Sequence, residues 1–274
     1  MAEEAPFERW QLEAAKHCAP LFIQDAFLSG GHDATTRNAS ATFVWFENRY
    51  FACTCRHAVE LVQKRREVGS EPFATLMLAF NRTFNPLTFI TAEGLIDLVQ
   101  VVPPGSEHYL DLAIADVTAL WPTISAEAQY QPIDMDPDKW REPRWARAEM
   151  LAAAGWPETE KRNATVNGEP RLIGTITLIV ANKSSDIAKD QRIVLMRSTL
   201  DEPHNWFFSG ISGGPMYVIQ EDRIIPVAIT FEGWPQTEGD HHEELTDRDI
   251  MVRGLTLTPD NFKSWLIRAG LRQA

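Results

Sequence analysis

The sequence predicts an all-β protein with a helix at each end and its strands gathered into two units of barrel size. Three observations carry this. Short runs rich in β-branched and aromatic residues recur between turn residues from Pro20 onward. A proline-rich, charged stretch at 118–147 splits those runs into two sets. Helical periodicity is confined to residues 3–18 and to the segment from Thr258 to Gly270.

In residues 3–18, Phe7, Trp10, Ala14 and Cys18 fall near one face with Glu and Lys between them, the pattern of a helix that packs as an extension. Leu21 to Ile23 begins the strands, and the Gly30 to Asp33 loop follows. Ala41 to Phe46 and Tyr50 to Cys55, joined by Glu47-Asn48-Arg49, read as a hairpin. Runs at Phe73 to Phe80, Leu87 to Thr91, Gly94 to Val102 and Leu110 to Val117 bring the first set to about six strands, the count of a small barrel. Pro122, Pro132, Pro137 and Pro143 then mark a linker lying over the surface. The second set comprises Glu149 to Ala154, Leu172 to Ala181, Arg192 to Arg197, Met216 to Ile219, Ile225 to Phe231 and Met251 to Leu257. Thr258-Pro259-Asp260 supplies an N-cap, a proline at the first helical position and an acid in the first turn. Phe262, Trp265, Leu266 and Ala269 then share a face, and Gly270 stops the helix. The expected division is 1–19 helical extension, 20–120 first barrel, 121–147 linker, 148–257 second barrel and 258–274 terminal helix.

Composition narrows the partners. With 44% apolar and 23% charged residues over 274, the chain has ordinary globular composition. A formal charge of -12 argues against nucleic acid or an anionic membrane as the main partner. Glu3, Glu4 and Glu8 occupy the start without a basic region before an apolar core, so no secretory signal is expected there. No apolar run reaches membrane-spanning length. Cys18, Cys53 and Cys55 are odd in number, and a bridge between residues i and i+2 of a strand is strained, so reduced thiols and a cytoplasmic location are expected. Four Asn-x-Ser/Thr sequons, at Asn38, Asn81, Asn163 and Asn182, carry little meaning in that setting.

Chemistry concentrates in Ser209-Gly210-Ile211-Ser212-Gly213-Gly214-Pro215, where a serine stands among three glycines before a strand. Glycine admits close backbone approach and unusual dihedrals, so the loop reads either as a plain turn or as a nucleophile with N–H groups aimed at an oxyanion. A serine hydroxyl needs a base, and the base needs an orienting group. His57 closes the second hairpin strand in Cys53-Thr54-Cys55-Arg56-His57-Ala58-Val59, where a helical turn begins. Asp111 opens the apolar run Leu110 to Val117. Asp116 has opposite parity and suits a solvent-facing strand end, with Asp97 a third choice.

Taken together, Thr54 to Val59 (T-x-x-H-x-V), Asp111 to Ile114 (D-L-A-I) and Gly210 to Pro215 (G-x-S-G-G-P) resemble the chymotrypsin-like (trypsin-like) serine protease family, especially its bacterial members without disulfides. The turn Ala153-Ala154-Gly155-Trp156-Pro157 resembles the opening of that family's second barrel. The resemblance implies a trypsin-like double six-stranded β-barrel with its active site between the barrels and no cofactor. It implies a serine endopeptidase acting through an acyl-enzyme, with Ser212 as nucleophile, His57 as base then acid, Asp111 holding the imidazole tautomer, and the Gly210 and Ser212 N–H groups as oxyanion hole. Ala228 to Gly233 resembles the strand beside the specificity pocket, which makes Phe231, Glu232 and Gly233 substrate contacts by strand addition. Ile211 stands where secreted members carry an aspartate that pairs with a newly cut N-terminus, so activation by that ion pair is not expected. His204-Asn205-Trp206-Phe207-Phe208 offers no acid to attract Lys or Arg. The alternatives are a protease-like scaffold without turnover and a serine esterase.

Asp240-His241-His242-Glu243-Glu244 lacks the spacing of a zinc helix and reads as a solvated loop, and no metal is expected. Lys64-Arg65-Arg66 is a solvated helix face. Partners are therefore a protein or peptide substrate and, for control, a regulatory protein, ordering by substrate, or a restrictive groove from 118–147 and 236–249.

Overall fold

The computed structural model describes residues 6–25, 38–60, 72–78, 87–88, 90–91, 98–101, 110–128, 130–166, 169–182, 187–189 and 192–273. Helix α1 (Pro6–His17) leads into strands β1 (Cys18–Asp25), β2 (Asn38–Phe46), β3 (Arg49–Thr54), β4 (Pro72–Leu78), β5 (Leu87–Thr88), β6 (Ile90–Thr91), β7 (Val99–Gln100) and β8 (Ala113–Asp116). Helix α2 (Trp121–Ala128) and β9 (Ile133–Asp134) come next. The second half holds β10 (Met150–Gly155), β11 (Arg162–Val166), β12 (Glu169–Gly174), β13 (Thr177–Asn182), β14 (Ile187–Lys189), β15 (Ile193–Thr199), β16 (Pro215–Gln220), β17 (Arg223–Trp234), β18 (Asp249–Thr256) and helix α3 (Pro259–Arg268). Lys64 to Arg66, Asp97 and the Gly30 to Asp33 loop lie outside the described residues.

Local chemistry sets the hairpin. Glu47 and Asn48 take φ of 47° and 61°, the mirror-image two-residue turn whose twist matches the flanking strands, and it pairs Phe46 with Arg49. The large sheets run β6-β4-β1-β2-β3-β8-β7, with β9 added in parallel to β2, and β13-β10-β16-β17-β18-β15-β14. A small sheet, β11-β12-β5, joins the halves by pairing Ile173 and Gly174 with Thr88 and Leu87.

Without β6 and β9 in the first and β14 in the second, six strands remain in each large sheet. Numbered by chain position within their half, they follow one cyclic order, 1-2-3-6-5-4, open between the fourth and fifth strands in the first sheet and between the second and third in the second. In the second sheet the strands flanking that opening, β13 and β15, touch. Two β units of like topology are what the double-barrel expectation requires.

Two expectations change. The run Leu172 to Ala181 is not one strand: the chain leaves the small sheet at Gly174 and enters the second large sheet at Thr177. Residues 118–147 are more than a surface linker. Pro122 sits in the first turn of α2, where its missing N–H costs nothing, and Trp121, Ile124, Tyr130, Ile133 and Met135 are buried.

The two end helices cross over. The inward face of α1 carries Ala14 and Ala15 against Ala152, Ile176, Tyr217 and Ile219 of the second half, with Trp10 partly buried and Phe7, contrary to its expected place on that face, 44% exposed. Helix α3 packs Phe262, Trp265 and Leu266 against Val44, Phe46, Phe51 and Ile114 of the first sheet. Its N-cap is as expected, with the Thr258 hydroxyl accepting from Asn261 N at 3.1 Å, and Gly270 takes φ of 70° just past its end.

The Phe262 ring meets Phe46, Phe51 and Trp265 edge to face at centroid distances of 5.6, 5.5 and 6.1 Å. Phe262→Ala is expected to cost about 3–5 kcal/mol, read as a lower urea midpoint with unchanged slope.

Candidate active site

Strand β2 alternates Asn38, Ser40 and Thr42 with Ala39, Ala41 and Phe43. The second set packs into an apolar cluster with Leu21, Ala52, Trp121 and Tyr130. The first set is also buried, because its polar atoms dock on the second half of the chain. Ser40 Oγ donates to Gly210 O at 2.8 Å and accepts from Trp156 N at 2.9 Å. Thr42 Oγ1 donates to Gly213 O at 2.6 Å, and Ser40 N donates to Ser212 O at 2.8 Å. Asn38 Nδ2 donates to Trp156 O at 2.5 Å, and from β3 Thr54 Oγ1 donates to Ser40 O at 2.8 Å.

These bonds grip the loop that carries Ser212. Gly210 and Gly213 take φ of 96° and 91°, and a Cβ at Gly213 would sit 2.0 Å from Ser40 O, so both conformation and contact demand glycine. Within the loop, Ser209 N donates to Gln236 O, Ile211 N to Phe208 O, Gly213 N to Thr230 O and Gly214 N to Ile211 O. The N–H groups of Gly210 and Ser212 have no acceptor among the described residues. Ile211 is buried with Phe208, Met216 and Val252, so an apolar contact occupies the position where the family resemblance would have had an aspartate.

His57 lies in a helical turn over 56–60, just beyond β3. Asp111 is not in a strand: it precedes β8 by two residues, next to Leu112, which is buried and accepts from Val101 N at 2.9 Å. The Asp111 carboxylate makes two bonds to one residue, Oδ1 accepting from His57 N at 3.0 Å and Oδ2 from His57 Nδ1 at 2.7 Å. An ionised carboxylate only accepts, so the neutral ring carries its proton on Nδ1 and leaves Nε2 as an acceptor. Burial opposes the charged ring, but the hydrogen bond and charge of Asp111, with Glu60 nearby, outweigh it and hold His57 above the ordinary 6.5. Asp116, as its parity suggests, faces outward and pairs with Arg49.

Cys55 connects the two groups. Its buried thiol donates to Thr230 O at 3.1 Å, the carbonyl that also accepts from Gly213 N in the serine loop. Its sulfur, a His57 ring nitrogen and an Asp111 carboxylate oxygen all lie within 4.8 Å of one another. His57, Asp111 and Ser212 are thereby drawn into one neighbourhood at the seam between the halves. Burial pushes the Cys55 thiol well up, with the Asp111 charge adding to it, so it is protonated near neutrality. Cys18 and Cys53 are likewise free thiols and buried.

Beside the serine loop, β17 loses β16 as a neighbour after Ile229, and Gly213 and Gly214 take over at Thr230. Phe231 is the extra residue of a bulge, Glu232 pairs with Arg253, and Gly233 packs against Ile211 and Phe208. These three predicted contacts thus occupy the stretch that β16 no longer covers, while β18 still pairs its other edge. A cavity of about 360 Å³ adjoins Trp234 and is lined by His204, Asn205, Phe207, Glu238, Asp240 and Asp247, so acids absent from the 204–208 stretch arrive from neighbouring loops. The Asp240 carboxylate already accepts from Gln236 N, Thr237 N and the Thr237 hydroxyl, and His241 to Glu244 are exposed, as expected of a solvated loop. Sequence reading missed Asn38, Ser40, Thr42 and Cys55. The available signal was the small polar alternation within an otherwise apolar strand.

No family model and no curated protein matches this sequence. Among solved structures, it is similar to a thermostable serine protease, AL20, from an extremophilic microorganism, at 14% identity, with 94% of this chain and 99% of that one covered and a TM-score of 0.47. It is also similar to the protease Anisep from Arthrobacter nicotinovorans, at 14% identity, with 94% and 97% covered and a TM-score of 0.46.

Ser40→Ala strips partners from two buried main-chain groups, and unfolding titrations are expected to show a loss of roughly 2–4 kcal/mol. Because its folded pKa is raised, the charged His57 pair stabilises the fold fully below pH 6.5 and loses that contribution as pH rises through the folded value. NMR titration should therefore place the His57 imidazole above 6.5 in the native protein and lower in Asp111→Asn.

Proposed function

We propose that the chain is a serine hydrolase that cleaves peptide bonds, with Ser212, His57 and Asp111 as its catalytic residues. One observation carries this reading: in the loop around Ser212 every N–H has an acceptor among the described residues except those of Gly210 and of Ser212 itself. An unsatisfied N–H pair beside a serine suits an oxygen that gains negative charge during reaction.

In this mechanism Ser212 Oγ attacks the scissile carbonyl carbon while His57 Nε2 takes the hydroxyl proton. The carbonyl π electrons move onto oxygen, which receives the Gly210 and Ser212 N–H groups. Collapse expels the amine, protonated by His57, and leaves an ester on Ser212. Water, deprotonated by the same imidazole, then releases the acid and restores the serine. Asp111 keeps the proton on Nδ1 throughout and stabilises the imidazolium. The uncovered edge of β17 at Phe231 to Gly233 suits an extended peptide that adds as a strand.

The second reading is a protease-like binding module without turnover. Reaction with a fluorophosphonate separates the two. A hydrolase is labelled at Ser212, with the rate falling on the acid side of a pKa above 6.5 and dropping about 10⁴-fold in Asp111→Asn. Ser212→Ala is the control. A folded protein that stays unlabelled at Ser212 across pH, or a Ser212→Ala variant that still cleaves peptides, refutes the assignment.

A further inference from the structure

We propose that Cys55, His57 and Asp111 form a binding site for a thiophilic divalent cation, Zn²⁺ in the first instance, which arrests the site in an inhibited form. Binding follows from the donor set; inhibition rests on the serine hydrolase reading. Acyl transfer gives a thiol no task, yet Cys55 lies within 4.8 Å of donor atoms of His57 and Asp111 and shares the Thr230 carbonyl with Gly213 N, next to Ser212. Among the described residues this is the one grouping of three metal-ligand side chains, each offering an atom within 4.8 Å of the others. The acidic His241-His242 loop, the more obvious place in the sequence, forms no such grouping.

Sulfur, imidazole nitrogen and carboxylate oxygen together favour Zn²⁺ or Co²⁺ over Mg²⁺ or Ca²⁺, which take oxygen ligands. Bonds of about 2.0–2.3 Å set such donors under 4 Å apart, so a cluster already within 4.8 Å needs at most about an ångström of adjustment. His57 can supply that movement, since 53% of its side-chain surface is exposed, whereas Cys55 is fully buried just beyond β3 and exchanges its S–H bond to Thr230 O for the metal. The ion therefore enters from the His57 side and meets the sulfur at the base. Binding releases the thiol proton to solvent as the Zn–S bond forms, and His57 and Asp111 exchange their mutual hydrogen bond for the metal. The fourth position of a tetrahedron stays open beside Ser212. With its lone pair on the metal, the imidazole has nothing left to accept the serine proton.

Titrating the whole native protein with Co²⁺ tests the site directly. Saturation at one equivalent is expected, with a thiolate-to-cobalt charge-transfer band that Zn²⁺ abolishes by competition. Cys55→Ser should lose the band and weaken Zn²⁺ binding by at least about 100-fold, beyond the 10- to 100-fold effect of losing a group that only orients a ligand. Ser212→Ala should keep both. Saturation without the band, or a band that survives Cys55→Ser, overturns the proposal; where that variant fails to fold, Cys18→Ala and Cys53→Ala should each keep the band, and its loss in either overturns the proposal. For inhibition, Zn²⁺ should block fluorophosphonate labelling of Ser212; full labelling at saturating Zn²⁺ overturns that half. A protein that binds Co²⁺ through sulfur but never labels at Ser212 without metal refutes the hydrolase reading and keeps the metal site.

Discussion

The polar seam along one face of β2 is the constraint on which the rest of the molecule depends. Asn38, Ser40 and Thr42 would ordinarily face water, and here they are buried against carbonyls and N–H groups of the serine loop and the Trp156 turn. Each partner left without its mate would be a desolvated polar group, costing about 1–3 kcal/mol, so the seam tolerates one relative placement of the two sheets and penalises sliding. A purely apolar joint would hold the halves together with less discrimination between neighbouring positions. The seam thereby fixes the height of Ser212 relative to β3, whose end carries Cys55 and His57.

On the other side of the cleft the task falls to one carboxylate. By bonding both the main chain and the ring of His57, Asp111 couples the position of a helical turn to the orientation of its side chain. Neither bond alone would do this: the ring bond leaves the backbone free to drift, and the backbone bond leaves the ring free to flip. The same carboxylate favours the charged imidazole, so the pair is held most tightly in the protonation state that cannot accept a proton. Geometry and basicity pull in opposite directions at this residue.

How much was legible depends on how local the signal is. The β2–β3 hairpin and helix α3 could be read because a tight turn and an N-cap are decided by neighbours in sequence, although Arg49, read as part of the connection, opens β3. The segments bearing His57, Asp111 and Ser212 could be found because histidine, aspartate and glycine stand out against the apolar runs that hold them. The seam was hidden, since alternation of Ser and Thr with Ala is the usual mark of a solvent face and only the other half of the chain reveals otherwise. Cys55 was hidden for the same reason, its partner Thr230 lying far along the chain. Residues 118–147 misled in the opposite direction: proline suggested an exposed linker, yet Pro122 starts a helix and the aromatics around it complete a core. Gly174 was invisible as a break because both segments it separates are genuine strands.

The crossed placement of the end helices bears on how the molecule comes apart. Helix α1 finishes the core of the second sheet and α3 that of the first, and Arg49 Nη1 donates to Leu271 O, 222 residues further along. Each half closes one apolar cluster with its own residues and has a second finished by a strap from the opposite end of the chain. Folding must therefore wait on contacts of very long loop length, and partial opening of one half strips cover from the other. The two sheets, though alike in strand order, are each completed by the far end of the chain, so either half separated from the other would keep one apolar cluster uncovered.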